Sequence, residues 1–331
     1  MMQNAIPAVR LASGAAFALC APLMTMPAQA QPDSAYPARP IRILVGFQPS
    51  GGSDIMARAA GQKLAERWNA PVVTDNRPGA GGTIAMEIAR KAAPDGYTLL
   101  VISGSLVTNA TLVTRVPYDL RTVFAPITQL TSQPYVLLAH PSVPAKTVRE
   151  LIAYAKANSD KLNYASSGTG SSAHLGMELF RSMTQTKMEH IPYKGSGPAL
   201  IDLLGGQVQL LLASAISSAP HLNSGKLRAL GVTSGKRSPN LPQLPTIAEA
   251  GVPGYDVTGW YGIVAPAGTS PAILLKLNAE LGRAMHTPEV AEKLAADGTE
   301  ALTGTPEAFK STINTEIDKW TQLVKTTGLK L

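Results

Sequence analysis

Twice in this chain an apolar run passes through a short Gly/Ser turn directly into an amphipathic helix, at residues 41–68 and again at 161–183. In the first unit Ile41, Ile43, Leu44 and Val45 form a run without a breaker, and Ile55, Ala59, Ala60, Lys63, Leu64 and Arg67 then repeat at helical spacing. The joining segment Pro49-Ser50-Gly51-Gly52-Ser53-Asp54 has glycines where backbone must turn tightly, and Ser53 or Asp54 where a helix N-cap belongs. In the second unit LNYAS reads as a strand, SGTGSS as the loop and AHLGMELFRSM as the helix. The first amides of a helix lack intrahelical partners, and with the helix dipole they form a ready anion site. Two such loops, far apart in sequence, predict two lobes gripping one small anion.

Composition bounds the rest. The chain has 331 residues, 45% hydrophobic and 15% charged, enough for two ordinary cores and unlike a disordered polymer. Residues 1–30 read as a cleavable leader: Arg10 begins it, residues 11–26 are apolar and small, and Ala28-Gln29-Ala30 is a cleavage signal. Cys20, the single cysteine, lies inside that leader, with Leu19 where a lipoprotein would carry a small residue. The expected mature chain begins at Gln31, has no disulfide and works in a periplasm. Losing Arg10 and no acid leaves 28 basic and 22 acidic residues, a charge of +6. Those cations are scattered at helical surface positions with few aromatics between them, which argues against nucleic acid.

Along the chain, further strands are predicted at 71–75, 97–102, 124–130, 135–140, 208–212, 226–233 and 260–264. Helices are predicted at 83–92, 148–157, 199–204, 272–285, 289–296 and 307–325, with a short one opening at 245–249. The last three long helices begin with a hydroxyl and a proline: Ser270-Pro271, Thr287-Pro288 and Thr305-Pro306. Alternating strands and helices imply mostly parallel sheets covered by helices, with ligands at the carboxyl ends of strands. Two crossovers, at 131–134 and near Pro253, divide the chain into lobe 1 (37–133 plus 254–331) and lobe 2 (134–253). Ser103-Gly104-Ser105 is either a third loop facing the cleft or a plain connection.

Catalytic and cofactor signatures are missing from the sequence. No lysine follows the first loop's glycines as a P-loop requires, and the third glycine of G-x-G-x-x-G would fall at Ala173. Neither loop closes a nucleophile elbow. His140, His174, His190, His221 and His286 have no i, i+4 pair, and a mature chain without cysteine offers no zinc spacing. No cofactor, no metal and no catalytic residue are expected. Asp54 is assigned mainly to capping. His174, one turn into the second helix, either approaches a ligand or is structural, and Trp260 either walls the cleft or fills the core.

The stretches YPARPIRILVGFQPSGGSDIMAR, DNRPGAGGTIAMEIARKAAPDGYTLL, LNYASSGTGSSAHLGMELF, HIPYKGSGPALIDLLGGQVQ and GWYGIVAPAGTSP, in that order, resemble the receptors of tripartite tricarboxylate transporters, the Bug or TctC family. The resemblance covers nearly all the chain after the leader. It implies a two-lobed Venus-flytrap fold of the type II periplasmic-binding-protein kind, a monomer that captures a small organic carboxylate and delivers it to membrane subunits of a tripartite transporter. Carried over by position, the ligand-binding residues are Ser50, Gly51, Gly52, Ser53 and Asp54 from the first loop and Ser167, Gly168, Thr169, Gly170, Ser171 and Ser172 from the second. His174, Tyr193 and Lys194 complete the set. Backbone amides, including those of Gly52 and Gly170, are the expected donors. The chain departs from the family at Gln48 and Ser50, where proline and glycine are usual, and at Ala213-Ser214, where many members carry an acidic residue and asparagine. The missing acid removes the counter-charge for an ammonium ligand and leaves a plain mono- or dicarboxylate. The competing readings are an exported enzyme acting on a carboxylate and an exported scaffold without a ligand.

Overall fold

The computed structural model describes residues 36–49, 52–159, 161–193, 195–296 and 299–331. The leader, its cleavage site and Cys20 lie outside the described residues, as do Ser50, Gly51 and Lys194. Among the described residues no helix is long and apolar enough to cross a membrane.

In chain order the first elements are β1 (Ile41–Val45), α1 (Gly52–Trp68), β2 (Val72–Asn76), α2 (Thr83–Lys91), β3 (Thr98–Ser103), α3 (Gly104–Thr108) and α4 (Leu120–Val123). Then come β4 (Phe124–Ala139), α5 (Val148–Ala157), β5 (Asn163–Ser166), α6 (Ser172–Thr184), β6 (Glu189–Pro192), α7 (Ser196–Leu204), β7 (Leu210–Ser214), α8 (Ala215–Asn223) and β8 (Arg228–Val232). The chain closes with β9 (Thr258–Pro266), α9 (Pro271–Met285), α10 (Pro288–Ala296), β10 (Glu300–Ala301) and α11 (Pro306–Thr327). The strands follow the order β2-β1-β3-β9-β4-β7-β5-β6, with β8 and β10 also paired to β4.

The fold is mixed α/β, and its sheet has two halves. At the outer flanks β1 runs parallel to β2 and β3, and β5 runs parallel to β6 and β7. Between them β4 and β9 run antiparallel to their neighbours, which simple strand-helix alternation did not anticipate. Instead of two strands broken at 131–134, β4 is one strand of 16 residues. Its partner changes within it: β9 pairs through Pro134, and β7 takes over at Tyr135. Proline has no N–H to give a ladder, and here it falls where one ladder ends and the next begins.

Strand alternation divides each half into two faces. Ile41, Ile43 and Val45 pack with Ala57, Ala60 and Leu64 of α1 and Leu277 and Leu281 of α9, while Leu44, Leu100 and Ile102 meet α2 and α3 on the other side. In the second half Leu137, Tyr164, Leu210 and Leu212 pack with Leu175, Met177 and Phe180 of α6, and Val136, Leu138, Ala165 and Leu211 face Ala199 and Leu203 of α7. Helix α11 belongs to both: Phe309, Ile313 and Ile317 join the first half's core, and Trp320 and Leu323 join the second's. Twenty-two residues at 1.5 Å each give it a length of about 33 Å.

Three expectations change at this scale. Ser103-Gly104-Ser105 is a helix start, Ser103 accepting from the Leu106 amide at 3.2 Å. Residues 245–249 carry the reciprocal Thr246 and Glu249 capping bonds, at 3.0 and 3.1 Å, yet the chain turns away and Gly251 takes φ +129°. Helix α8 was not anticipated, because Ser214, Ser217, Ser218 and an internal Pro220 read as loop.

Gly262, buried in β9, sits directly under the Phe309 ring, so that a Cβ there overlaps the ring. Gly262→Ala is expected to destabilise the fold by about 1–3 kcal/mol, the usual cost of overpacking. The midpoint of urea unfolding measures this, with an unchanged slope showing that the folded state is retained.

Candidate ligand-binding site

Strand β1 ends at Val45, and α1 begins at Gly52 with Ser53 and Asp54 buried in its first turn. Asp54 lies inside that turn and its role extends beyond capping: its carboxylate accepts from Arg58 Nε at 2.9 Å and from Asn76 Nδ2 at 3.0 Å. Asn76 also donates to the Phe47 carbonyl at 3.1 Å, so the end of β2 holds both sides of the first loop. Gly52 lies against the Tyr261 hydroxyl from β9, and even a methyl group at position 52 overlaps it.

The second loop is built by its own short bonds. The Gly168 amide donates to Ser166 Oγ at 3.1 Å, the Ser171 amide to the Gly168 carbonyl at 3.1 Å, and the Gly170 amide to His174 Nδ1 at 3.0 Å. Ser171 is the N-cap of α6, accepting from the His174 amide at 3.2 Å. Positive φ at Gly168 (+134°) and Gly170 (+79°) explains why glycine stands at both. The expectation that Gly170 supplies an amide to a ligand is therefore corrected, because that donor is spent on His174. What this helix start leaves open are the amides of Ser172 and Ala173, which have no protein acceptor among the described residues. Thr169 is exposed at the tip, and Ser167, Gly168, Gly170, Ser171 and Ser172 are half-buried.

His174 is buried behind this loop, its ring stacked on His190 at 3.9 Å between centroids and 12° between planes. Burial pushes His174 below the ordinary imidazole range, with Arg181 adding to the effect and Glu178 opposing it. His190 is pushed down to about 4, first by burial and then by His174 and Arg181. Tyr193 donates to Asp202 Oδ2 at 2.6 Å, and burial and Asp202 push its phenol up to about 12.

The two loops share a neighbourhood at the β4-β9 crossing. Ser172 faces the Tyr135 phenol, whose pKa is raised by burial, and the Tyr135 hydroxyl lies over Gly259, two residues from the Tyr261 that covers Gly52. Val113, from the segment Asn109–Val113, lies alongside Gly170, and Asn109 of the same segment packs against Gly81. Trp260 is core, 4% exposed and edge-on to Phe309 at 5.5 Å. Asn76, Tyr135, Tyr261, Asn109 and Val113 were not singled out in the sequence, since each reaches the region through pairing across the sheet or between distant segments.

Residues 56–329 match the family model described as the tripartite tricarboxylate transporter family receptor. The chain belongs to that family. It is 40% identical over 298 residues to Protein BugT of Bordetella pertussis, covering 89% of this chain and 91% of that one. Among solved structures, Rpa4515 of R. palustris with adipate is 36% identical with TM-score 0.72, covering 88% of this chain and 98% of the other. MatC from Rhodopseudomonas palustris with bound malate is 32% identical with TM-score 0.69, covering 87% and 100%. A ligand-free TctC solute binding protein from Polaromonas is 26% identical with TM-score 0.81, covering 88% and 99%.

Asn76→Ala removes both bonds that tie the first loop to β2 and leaves Asp54, 3% exposed, with one fewer donor. A loss of about 1–3 kcal/mol is expected, read as a lower urea midpoint.

Proposed function

We propose that this chain is a periplasmic receptor that closes two lobes on a small organic carboxylate and delivers it to the membrane subunits of a tripartite tricarboxylate-type transporter. The observation that carries the reading is that structures sharing 36% and 32% identity over most of this chain hold adipate and malate. The local chemistry is compatible. A carboxylate has about four lone-pair positions, and the amides of Ser172 and Ala173, hydroxyls of Ser53, Thr169 and Ser172, and the start of α1 are donors of the required kind. Charged-group hydrogen bonds contribute about 1.5–3 kcal/mol each, and micromolar affinity needs about 8.2 kcal/mol, so no buried arginine is required. Ala213, where the resemblance implies an acid in many members, is a buried residue of β7, and Ser214 beside it is the N-cap of α8, accepting from the Ser217 amide at 3.3 Å. That supports a plain mono- or dicarboxylate over an amino acid. In this reading the lobes are residues 37–133 with 254–331, and residues 134–253.

Closure is supported by the path of the chain, which passes between the two halves of the sheet within β4 at Pro134–Tyr135 and again between β8 and β9. Saturating ligand is expected to lower the radius of gyration in small-angle scattering once any co-purified ligand is removed, and an unchanged radius argues against closure.

Ser172→Pro tests the donors. Position 172 is the first residue of α6, where proline fits, and Ser171 before it is already extended at φ −67°, ψ 158°. The variant deletes one open amide and one hydroxyl without breaking the helix. Calorimetry with malate and adipate is expected to show a loss of about tenfold or more, the equivalent of one charged hydrogen bond, while Lys194→Ala costs less. If no organic acid raises the melting temperature of the wild-type protein, the receptor reading fails.

A further inference from the structure

Building on the receptor reading, we infer that His174 is a positioning residue: its neutral imidazole, stacked on His190, fixes the second loop through the Gly170 amide, so that acidification loosens the loop. The bond itself assigns the tautomer. Gly170 N–H donates to His174 Nδ1 at 3.0 Å, so that nitrogen must be unprotonated and the ring proton sits on Nε2. A proton added at Nδ1 sets donor against donor, and the Gly170 amide loses its acceptor.

His190 extends the device to the other arm of the loop. Its Nε2 lies 2.6 Å from Ser166 Oγ, the atom that accepts from the Gly168 amide. The two glycines with left-handed backbone are thus each tied to one imidazole, Gly170 directly and Gly168 through Ser166. The pair reports on both at once, because the ring centroids are 3.9 Å apart and a charge on one ring opposes a charge on the other.

The surrounding groups set the direction. Tyr164 of β5 stacks on His190 at 4.9 Å and donates to Glu178; Glu178 is also paired with Arg181. Glu178 favours a charged His174, whereas Arg181 and burial oppose a charge on either ring, and the net shift is downward for both. Lowered values mean that the folded form binds fewer protons than the unfolded chain. The contribution is fully present above the ordinary imidazole value of about 6.5, and is lost as pH falls from there toward the folded values, about 4 for His190.

Side-chain shape provides the control. Asparagine places its carbonyl oxygen near the position of Nδ1 and cannot be protonated there, whereas alanine has no acceptor. His174→Asn is expected to bind malate or adipate within about threefold of wild type at pH 7.5, and His174→Ala about tenfold more weakly, the equivalent of about 1.4 kcal/mol. As the pH is lowered from 7.5 to 4, through the folded value of His190, the ratio of wild-type to His174→Asn affinity falls, a comparison that cancels ionisation of the ligand. Nitrogen-15 spectra of the ligand-free wild-type protein test the same point without any ligand, showing an Nε2–H His174 and a protected Gly170 amide at pH 7.5 that loses protection on acidification. If those spectra appear and no carboxylate binds, the loop assignment stands and the receptor reading falls. A His174 protonated on Nδ1 at pH 7.5, or a His174→Asn variant as weak as His174→Ala with an unchanged melting temperature, overturns the inference.

Discussion

The structure depends on one strand serving two sheets. From Phe124 to Ala139 the backbone is continuous, yet its ladder passes from β9 to β7 and β8 between Pro134 and Tyr135. A strand buried on both faces must satisfy its amides on both edges, and this one does so with different partners along its length. Because strands lie about 4.8 Å apart, the handover fixes where each half of the sheet begins. It also brings Tyr135 and Tyr261, on neighbouring strands, under the two helix starts.

That placement explains why the candidate site uses small residues. Gly52 admits the Tyr261 hydroxyl, Gly259 admits Tyr135, and Gly168 and Gly170 take backbone angles that side chains resist. Hydroxyls then close the loop on itself, Ser166 to Gly168 and Ser171 to His174. The first loop is tied by a different chemistry, a buried carboxylate at Asp54 held by Arg58 and Asn76. One loop is braced by charge and the other by neutral imidazole, so pH and salt act on them unequally.

Much of this was legible in the sequence because the two strand-loop-helix units are local. Ile41–Val45, Asn163–Ser166 and the helices after them follow from periodicity, caps and glycines within about thirty residues. Hydroxyl-proline starts marked α9, α10 and α11 equally well. Features set by long-range pairing were not legible. Proline at 134 reads as a break, and only the change of partner shows why the strand continues. His190 reaches His174 because β5 and β6 run parallel with Tyr164 opposite His190, a register that spacing alone does not reveal. The serines of α8 look like a loop until Ser214 is seen accepting from Ser217.

The position of β9 has a consequence for the order in which the molecule can assemble. It lies between β3 and β4, pairing Leu100 with Val264 and Pro134 with Thr258, so the first half of the sheet has a gap until the chain has been made past residue 258. The second half takes all its strands from residues 135–232, and its contacts close over much shorter loops. Contacts of long sequence separation form late because their closure entropy comes first. The amino-terminal strands β1, β2 and β3 therefore pair with one another early, and β3 keeps one edge open until β9 arrives to join them to β4.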